Sequence, residues 1–404
     1  MTTQVTDTPM MRQYKAIKVD HQDAILFFRL GDFYEMFLDD AQVASKILDL
    51  TLTGRGKDET RIPMCGIPYH AADSYITRLV QSGHKVAICE QVEDPTVSKG
   101  ITKREVTKVV TPGTVLEAGV LDDTENNYLV AVVESTRPRI EFGLAYADVT
   151  TGAFNVWTTA SKKELMLEIQ RLSPKEILIP ESMDLEFVDP ILINRYFPKD
   201  KDQARDQLLE HFQVGSISVF GLDGFEAALP AAWAILDYLQ CTHKTELSQM
   251  TRIRPVVQEG FLRMDAVTVS NLELVEGLRQ SQKKSTVFAV LDHTKTSMGA
   301  RRMKQLLRAP YCEVSVINRR LDAVEDLVTD VLSREEIREL LAPVYDLERL
   351  VSRIVSRHNN PRDCIALMGS LKALVEVGSV LDQLPSDLLK SQAQFFLDAA
   401  KSES

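Results

Sequence analysis

Phe33 and Glu35 stand two positions apart in the run Gly31-Asp32-Phe33-Tyr34-Glu35-Met36-Phe37, a ring and a carboxylate on either side of one tyrosine. In extended backbone that spacing sends both side chains to the same side. An exposed ring can enter between stacked bases, and a carboxylate beside it can accept from, or share a proton with, a base edge. The competing reading is structural: Phe33, Tyr34 and Phe37 extend a core begun by Phe27 and Phe28, as aromatic residues commonly do. Tyr34 alternates away from Phe33 and is assigned to that core.

These residues need a frame. Ala24 to Leu30 reads as a buried strand, the glycine turn at Gly31 presents the ring and carboxylate on a loop, and Leu38 to Leu50 is helical. Thr8 as N-cap with Pro9 behind it opens an earlier helix through Lys18. A turn at Thr53-Gly54-Arg55-Gly56-Lys57 follows, then a helix near 71–82, strands at 85–89 and 106–110, and an exit at Thr111-Pro112-Gly113. Mixed elements with short turns describe an α/β unit.

The chain has 404 residues, 44 % hydrophobic and 26 % charged, which suits two to four soluble globular domains. No apolar run approaches the roughly 20 residues that span a bilayer, and the start lacks a basic-then-apolar leader. Five scattered cysteines, without C-x-x-C spacing, fit a reducing cytoplasm with neither disulfides nor a zinc site. A net charge of −11 argues against indiscriminate nucleic-acid binding, because phosphate attraction is its generic source. Residues 1–115, however, carry 14 Lys plus Arg against 15 Asp plus Glu, so a near-neutral reader of DNA shape remains physically reasonable.

A second unit begins near 126. Tyr128 to Val133 is a strand, 140–149 and 152–158 alternate as a hairpin, Lys162 to Leu172 is an amphipathic helix and Glu176 to Pro180 a buried strand. Asp148 raises a rival, a metal-dependent nuclease. Two-metal hydrolysis needs converging carboxylates, and Glu141 is the only other acid on the hairpin, so Asp148 is assigned to the turn. From about 255 the pattern is helical. Ser297 is the expected cap of a helix with Met303, Leu306 and Leu307 on its apolar side and Arg301, Arg302, Lys304 and Arg308 elsewhere. Ile317, Leu321, Val324, Val328 and Val331 form another apolar stripe, and Ser333 with Glu336 has capping-box spacing. Arg349, Arg353 and Arg357 stack at i+4, as a solvated face with ion pairs or as a phosphate track.

The blocks Thr8-Pro9-Met10-Met11, Gly31 to Phe37, Ile62-Pro63-Met64-Cys65-Gly66-Ile67-Pro68-Tyr69-His70-Ala71, Cys89-Glu90-Gln91 and Val110-Thr111-Pro112-Gly113-Thr114, in this order, resemble the amino-terminal half of the bacterial DNA mismatch-recognition MutS family. Arg263-Met264-Asp265, Asn271 to Leu274, Thr286 to Asp292 and Thr294-x-Thr296-x-Met298-Gly299 extend the resemblance to about residue 370. It implies a multidomain α/β plus α fold: a mixed α/β mismatch-recognition domain over 1–115, a linker over 116–125, a ribonuclease-H-like connector domain over 126–250 and a helical core/lever region over 251–404. Phe33 and Glu35 fall where the family carries its mismatch-probing pair. Backbone contacts are expected from Arg55, Lys57, Arg61 and the loop from Met64 to His70, with His70 either a backbone contact or a neighbour of a helix cap.

The family's clamp region and ATPase lie beyond this resemblance. A phosphate-binding loop needs G-x-x-x-x-G-K-[ST], whereas the lone Gly56-Lys57 pair has Thr51 and Asp58 in the outer positions. The chain is therefore expected to be no enzyme by itself and to hold no cofactor, with ATP and magnesium belonging to the missing ATPase. Family partners are double-stranded DNA with mismatches or small loops, a second MutS subunit as homodimer, MutL and the replication sliding clamp, in the cytoplasm near the nucleoid and away from membranes. The alternative function is a protein-docking fragment that binds MutL or the clamp without DNA.

Overall fold

The computed structural model describes residues 8–55, 61–93, 102–115, 122–136, 140–187, 191–243, 247–256, 260–277, 285–357 and 359–401. Lys57 lies outside them.

The Thr8 hydroxyl accepts from Met11 N, and α1 (Pro9–Asp20) starts at that cap. β1 (Ala24–Leu30), β2 (Phe33–Phe37), α2 (Leu38–Leu48), β3 (Thr53–Arg55), β4 (Ile62–Pro68), α3 (Ala72–Gln81), β5 (Lys85–Gln91) and β6 (Arg104–Val110) complete the first unit. Its sheet runs β3-β4-β2-β1-β5-β6, antiparallel except where β1 meets β5. Period-2 alternation divides the apolar residues between two faces. Ile25, Phe27, Tyr34 and Met36 pack under α2 and α3, while Leu26, Phe28 and Cys89 pack under Met11 and Tyr14 of α1. Asp40 locks three elements together, accepting from Tyr14 Oη at 2.9 Å, Lys18 Nζ at 2.8 Å and Leu26 N at 3.0 Å.

Two expectations change here. Phe33 and Glu35 sit on a strand, because the turn ends at Asp32 and Phe33 already pairs with Leu30 of β1. The Met64 to His70 segment is likewise a strand as far as Pro68, followed by a single 3-10 turn at Tyr69–Ala71. Pro63 and Pro68 disguise it, since proline withholds a ladder donor, yet β4 pairs on both sides.

The second unit comprises β7 (Tyr128–Ser135), β8 (Glu141–Asp148), β9 (Ala153–Thr159), α4 (Lys162–Leu172), β10 (Glu176–Pro180), β11 (Leu192–Tyr196), α5 (Lys201–Phe212), α6 (Leu229–His243) and β12 (Arg254–Pro255). Its sheet order is β11-β10-β7-β8-β9-β12. β7, β8 and β9 form an antiparallel meander, and β10 lies parallel to both β7 and β11. α5 and α6 cover one face and α4 the other.

The rest is helical: α7 (Ala266–Asn271), α8 (Val287–Leu291), α9 (Ser297–Arg308), α10 (Val314–Thr329), α11 (Val331–Leu341), α12 (Leu347–Val355), α13 (Pro361–Leu381) and α14 (Asp387–Lys401). Ile337, Val377, Leu381, Leu384 and Ala393 form its buried cluster. Thr296, one residue before the expected Ser297, caps α9 by accepting from Gly299 N. Asp330 caps α11 three residues before Ser333, whose N–H it receives. α13 has the length and mean hydropathy, 1.7, of a membrane span, but Lys372 and Glu376 interrupt it and it packs on α11, α12 and α14.

Three helical expectations are overturned. In α9 the buried side carries Ala300, Arg301 and Lys304, while Met303, Leu306 and Leu307 are only partly covered. The α10 stripe faces outward at Leu321, Val324 and Val328, and Ala323 is the buried residue. Arg349 is buried, Arg353 pairs with Asp363 at 2.9 Å and Arg357 is exposed, so they form neither a solvated row nor a track. Periodicity finds apolar sides. It does not see acids far away in sequence that draw arginines inward.

Candidate nucleic-acid interface

β2 is the strand from which the site is built. Arg29 Nε donates to Gly31 O at 2.6 Å, and Gly31 takes a φ of +58°, the left-handed region open to glycine, so the chain reverses in two residues. Phe33 then opens β2 as a residue 49 % exposed, beside Pro68 on β4 and Leu30 on β1. A sealed ring would have removed any route to a ligand. This one has a route.

Glu35 pairs across to Gly66, and a Cβ at position 66 would stand 3.5 Å from Glu35 Cγ. Glycine therefore places no side chain against the Glu35 stem on that side. Arg55, at the end of β3, brings a guanidinium nitrogen to 3.8 Å from Glu35 Oε2. That oxygen is buried and accepts no hydrogen bond from the described residues. Burial pushes the Glu35 carboxyl above its ordinary range, and Arg55 draws it partly back. The group is poised to take a proton or a donor.

Met64 faces the same side as Phe33 and Glu35, because Phe37 pairs with Met64 and Thr53 pairs with Met64 from β3. Phe33, Glu35, Arg55 and Met64 thus share one face, where no described helix lies over Phe33, Gly66 or Arg55. Arg61 falls on the opposite face, its side chain lying across Gly54. His70 is exposed in the turn after β4, its ring edge-on to Tyr69 at 5.8 Å. Four of the six described candidates meet, and two stand apart.

Sequence reasoning missed Gly66 and Arg29. The Arg29 guanidinium stacks 3.6 Å from the Tyr69 ring centre, and Tyr69 N donates to Asp32 O at 2.9 Å, so both ends of the Gly31-Asp32 turn are braced. A single arginine after five buried residues was the available signal. Tyr34 is buried as expected and donates to Glu90.

Among its described residues the second unit offers no comparable chemistry. Asp148 is fully buried and its carboxylate is occupied by Asn126 at 3.1 Å, Asn127 N at 3.1 Å and Thr150 N and Oγ1 at 3.0 and 2.6 Å. Glu141 is at the other end of β8, about 23 Å away at strand rise. No group of three His, Cys, Asp or Glu suited to a metal occurs among the described residues.

Residues 8–119 match the family model described as MutS domain I, 127–251 that of MutS domain II and 267–403 that of MutS domain III. A DNA mismatch repair protein MutS of Lachnoclostridium phytofermentans is 45 % identical over 95 % of this chain and 42 % of its own length. Those of Desulfatibacillum aliphaticivorans and Methanosarcina barkeri are 44 % and 39 % identical, each over 96 % of this chain and 44 % and 45 % of their own lengths. The chain spans less than half the length of these curated relatives. With three successive domains matched in order and relatives aligned along nearly all of it, the chain belongs to the MutS family.

Proposed function

We propose that this chain serves DNA mismatch repair by testing duplex DNA for mispaired or unpaired bases, with Phe33 as the wedge and Glu35 as the base contact. The observation that carries this is the half-exposed Phe33 on the same sheet face as an under-bonded carboxylate. Opening a base step costs a few kcal/mol, and least where pairing is already defective. A stacked ring regains about 1–3 kcal/mol per base. That balance favours insertion only where the duplex is damaged. Glu35 is repelled by phosphates on ordinary duplex and is compensated only where a displaced base offers a donor or the carboxyl takes a proton.

Arg55 and Met64 are proposed to flank the wedge against sugar and phosphate, with Lys57, Arg61 and His70 touching the backbone beyond it. The meander β7-β8-β9 with parallel β10 and β11 supports a ribonuclease-H-like connector domain. A docking role for the helical region, toward MutL, the sliding clamp or a second MutS subunit, draws support from the outward apolar stripe of α10.

Phe33→Ala tests the main reading. Fluorescence anisotropy with duplexes differing by one G·T pair is expected to show the mismatch preference falling about 10-fold or more, the loss of one stacked base, while circular dichroism stays unchanged. Equal preference in the variant and the parent removes the wedge. A parent chain that binds neither duplex would favour docking as the chain's principal role.

A further inference from the structure

Residues 122–126 join the first unit to the second, and the helical region grips them. Arg349 of α12, 7 % exposed, donates to the Asp123 carboxylate at 2.6 Å and to the carbonyls of Asp122 and Glu125 at 3.4 and 2.9 Å. Arg301 of α9, 3 % exposed, donates to the Asp123 carbonyl at 2.9 Å. It is itself fixed by Asp346 at 2.5 and 2.9 Å and by Glu348 at 2.6 Å. Lys304 reaches Thr124 Oγ1 at 3.0 Å, and Gln305 reaches Asn126 at 3.1 Å. From the other side Asn127 N is held by Asp148 at 3.1 Å.

The character of this joint decides what it does. Among the described residues no buried apolar cluster crosses it: each cluster belongs to one unit. Beside it a cavity of about 410 Å³ separates Tyr128, Tyr146 and Arg171 from Phe261, Arg302 and Leu306. Close packing would set the angle between units permanently. Here directional ion pairs and hydrogen bonds set it. Those involving Asp123, whose side chain is largely exposed, remain open to salt and to movement.

We infer that residues 122–126 form a polar latch, with Arg349 and Arg301 as its positioning residues, that carries movement of the mismatch-reading unit into α9 and α12. The source of that movement rests on the mismatch reading; the latch itself does not. Both guanidiniums bind main-chain carbonyls as well as carboxylates, so displacement of the segment is felt on two helices at once.

Hydrogen exchange on the full 404-residue chain tests this. The amides of Thr124 and Glu125 donate to Asp122 within the latch, while Asn127 N is an internal control held by the second unit. Arg349→Gln and Asp123→Asn are each expected to speed exchange at 124–125 about tenfold, the scale of one charged hydrogen bond, and leave Asn127 unchanged. Their combination adds little, because they break one pair. Arg349→Lys restores most of the protection. A short duplex with one G·T mispair is then added. The parent is expected to gain protection at Phe33–Phe37 and to change at α9 and α12, whereas Asp123→Asn keeps the first response and loses the second. Exchange at 124–125 indifferent to both substitutions overturns the latch, and so does an undiminished α9 and α12 response in Asp123→Asn. Absence of protection at Phe33–Phe37 overturns the mismatch reading instead, and the comparison without DNA still decides the latch.

Discussion

At the scale of single residues, Glu35 is the costly member of its pair. Its carboxyl is pushed upward by burial more than Arg55 lowers it, so the folded chain holds this proton to higher pH than the unfolded chain does. Stability from this group is therefore greatest below its ordinary value of 4.5, declines as pH rises through the folded pKa and stays lower at pH 7. Glu35→Gln is expected to raise the melting temperature at pH 7 and to lose that advantage in acid. Calorimetry at both pH values checks it, and a variant less stable at pH 7 would show that Arg55 dominates after all. The same change is expected to strengthen binding to fully paired duplex by about fivefold or less, the size of one like-charge contact in water. A tyrosine or leucine at 35 would not serve, since neither repels phosphate and then welcomes a base donor. In the proposed reading, ring and acid are opposite terms of one comparison.

At the scale of elements, the first unit depends on Asp40 to bind α1 and α2 to β1. Asp40→Ala leaves Tyr14 Oη and Leu26 N without that acceptor in the core, and is expected to cost about 3 kcal/mol, read from urea unfolding followed at the near-ultraviolet tyrosine signal. A loss under about 1 kcal/mol, the range of a surface pair, would mean that Lys18 alone uses the carboxylate. Elements with local signals were legible in the sequence. Thr8-Pro9 announced α1, alternation over 140–149 and 152–158 announced its hairpin, and α4 and β10 occur at their expected bounds. β4 was not, because its two prolines argue against a strand and its pairing partners lie elsewhere in the chain. α9 and α12 were misread by face for the same reason: the groups that bury Arg301 and Arg349 include the linker segment 122–126, which no helical periodicity contains. For the site, residue types at i and i+2 placed Phe33 and Glu35 together. The company of Gly66 and Arg55, and the separation of Arg61, needed the register of β2, β4 and β3.

At the scale of the whole molecule, charge and function must be reconciled. The chain carries −11 overall, yet the proposed reading face holds an exposed arginine beside a half-buried carboxylate. Affinity built on counterion release needs many cations tracking phosphates, and the salt slope counts them at about 0.9 per neutralised phosphate. Only Arg55, Lys57 and Arg61 are proposed for that task here, so the slope of log affinity against log salt is expected to be no steeper than about −3. Stacking and bending, which separate mismatched from paired duplex, release few ions, and the two duplexes should therefore give nearly parallel lines. Titrations at several salt concentrations with both duplexes measure this directly. A slope near −6 would reveal a broad basic surface beyond the first unit, and the acidic remainder of the chain would then have to approach DNA through that surface. Lines that converge at high salt would mean that the mismatch preference is itself electrostatic, and Phe33 would no longer be its source. A shallow pair of parallel lines is what a reader gains by testing shape: little binding to intact duplex, and a preference that salt does not erase.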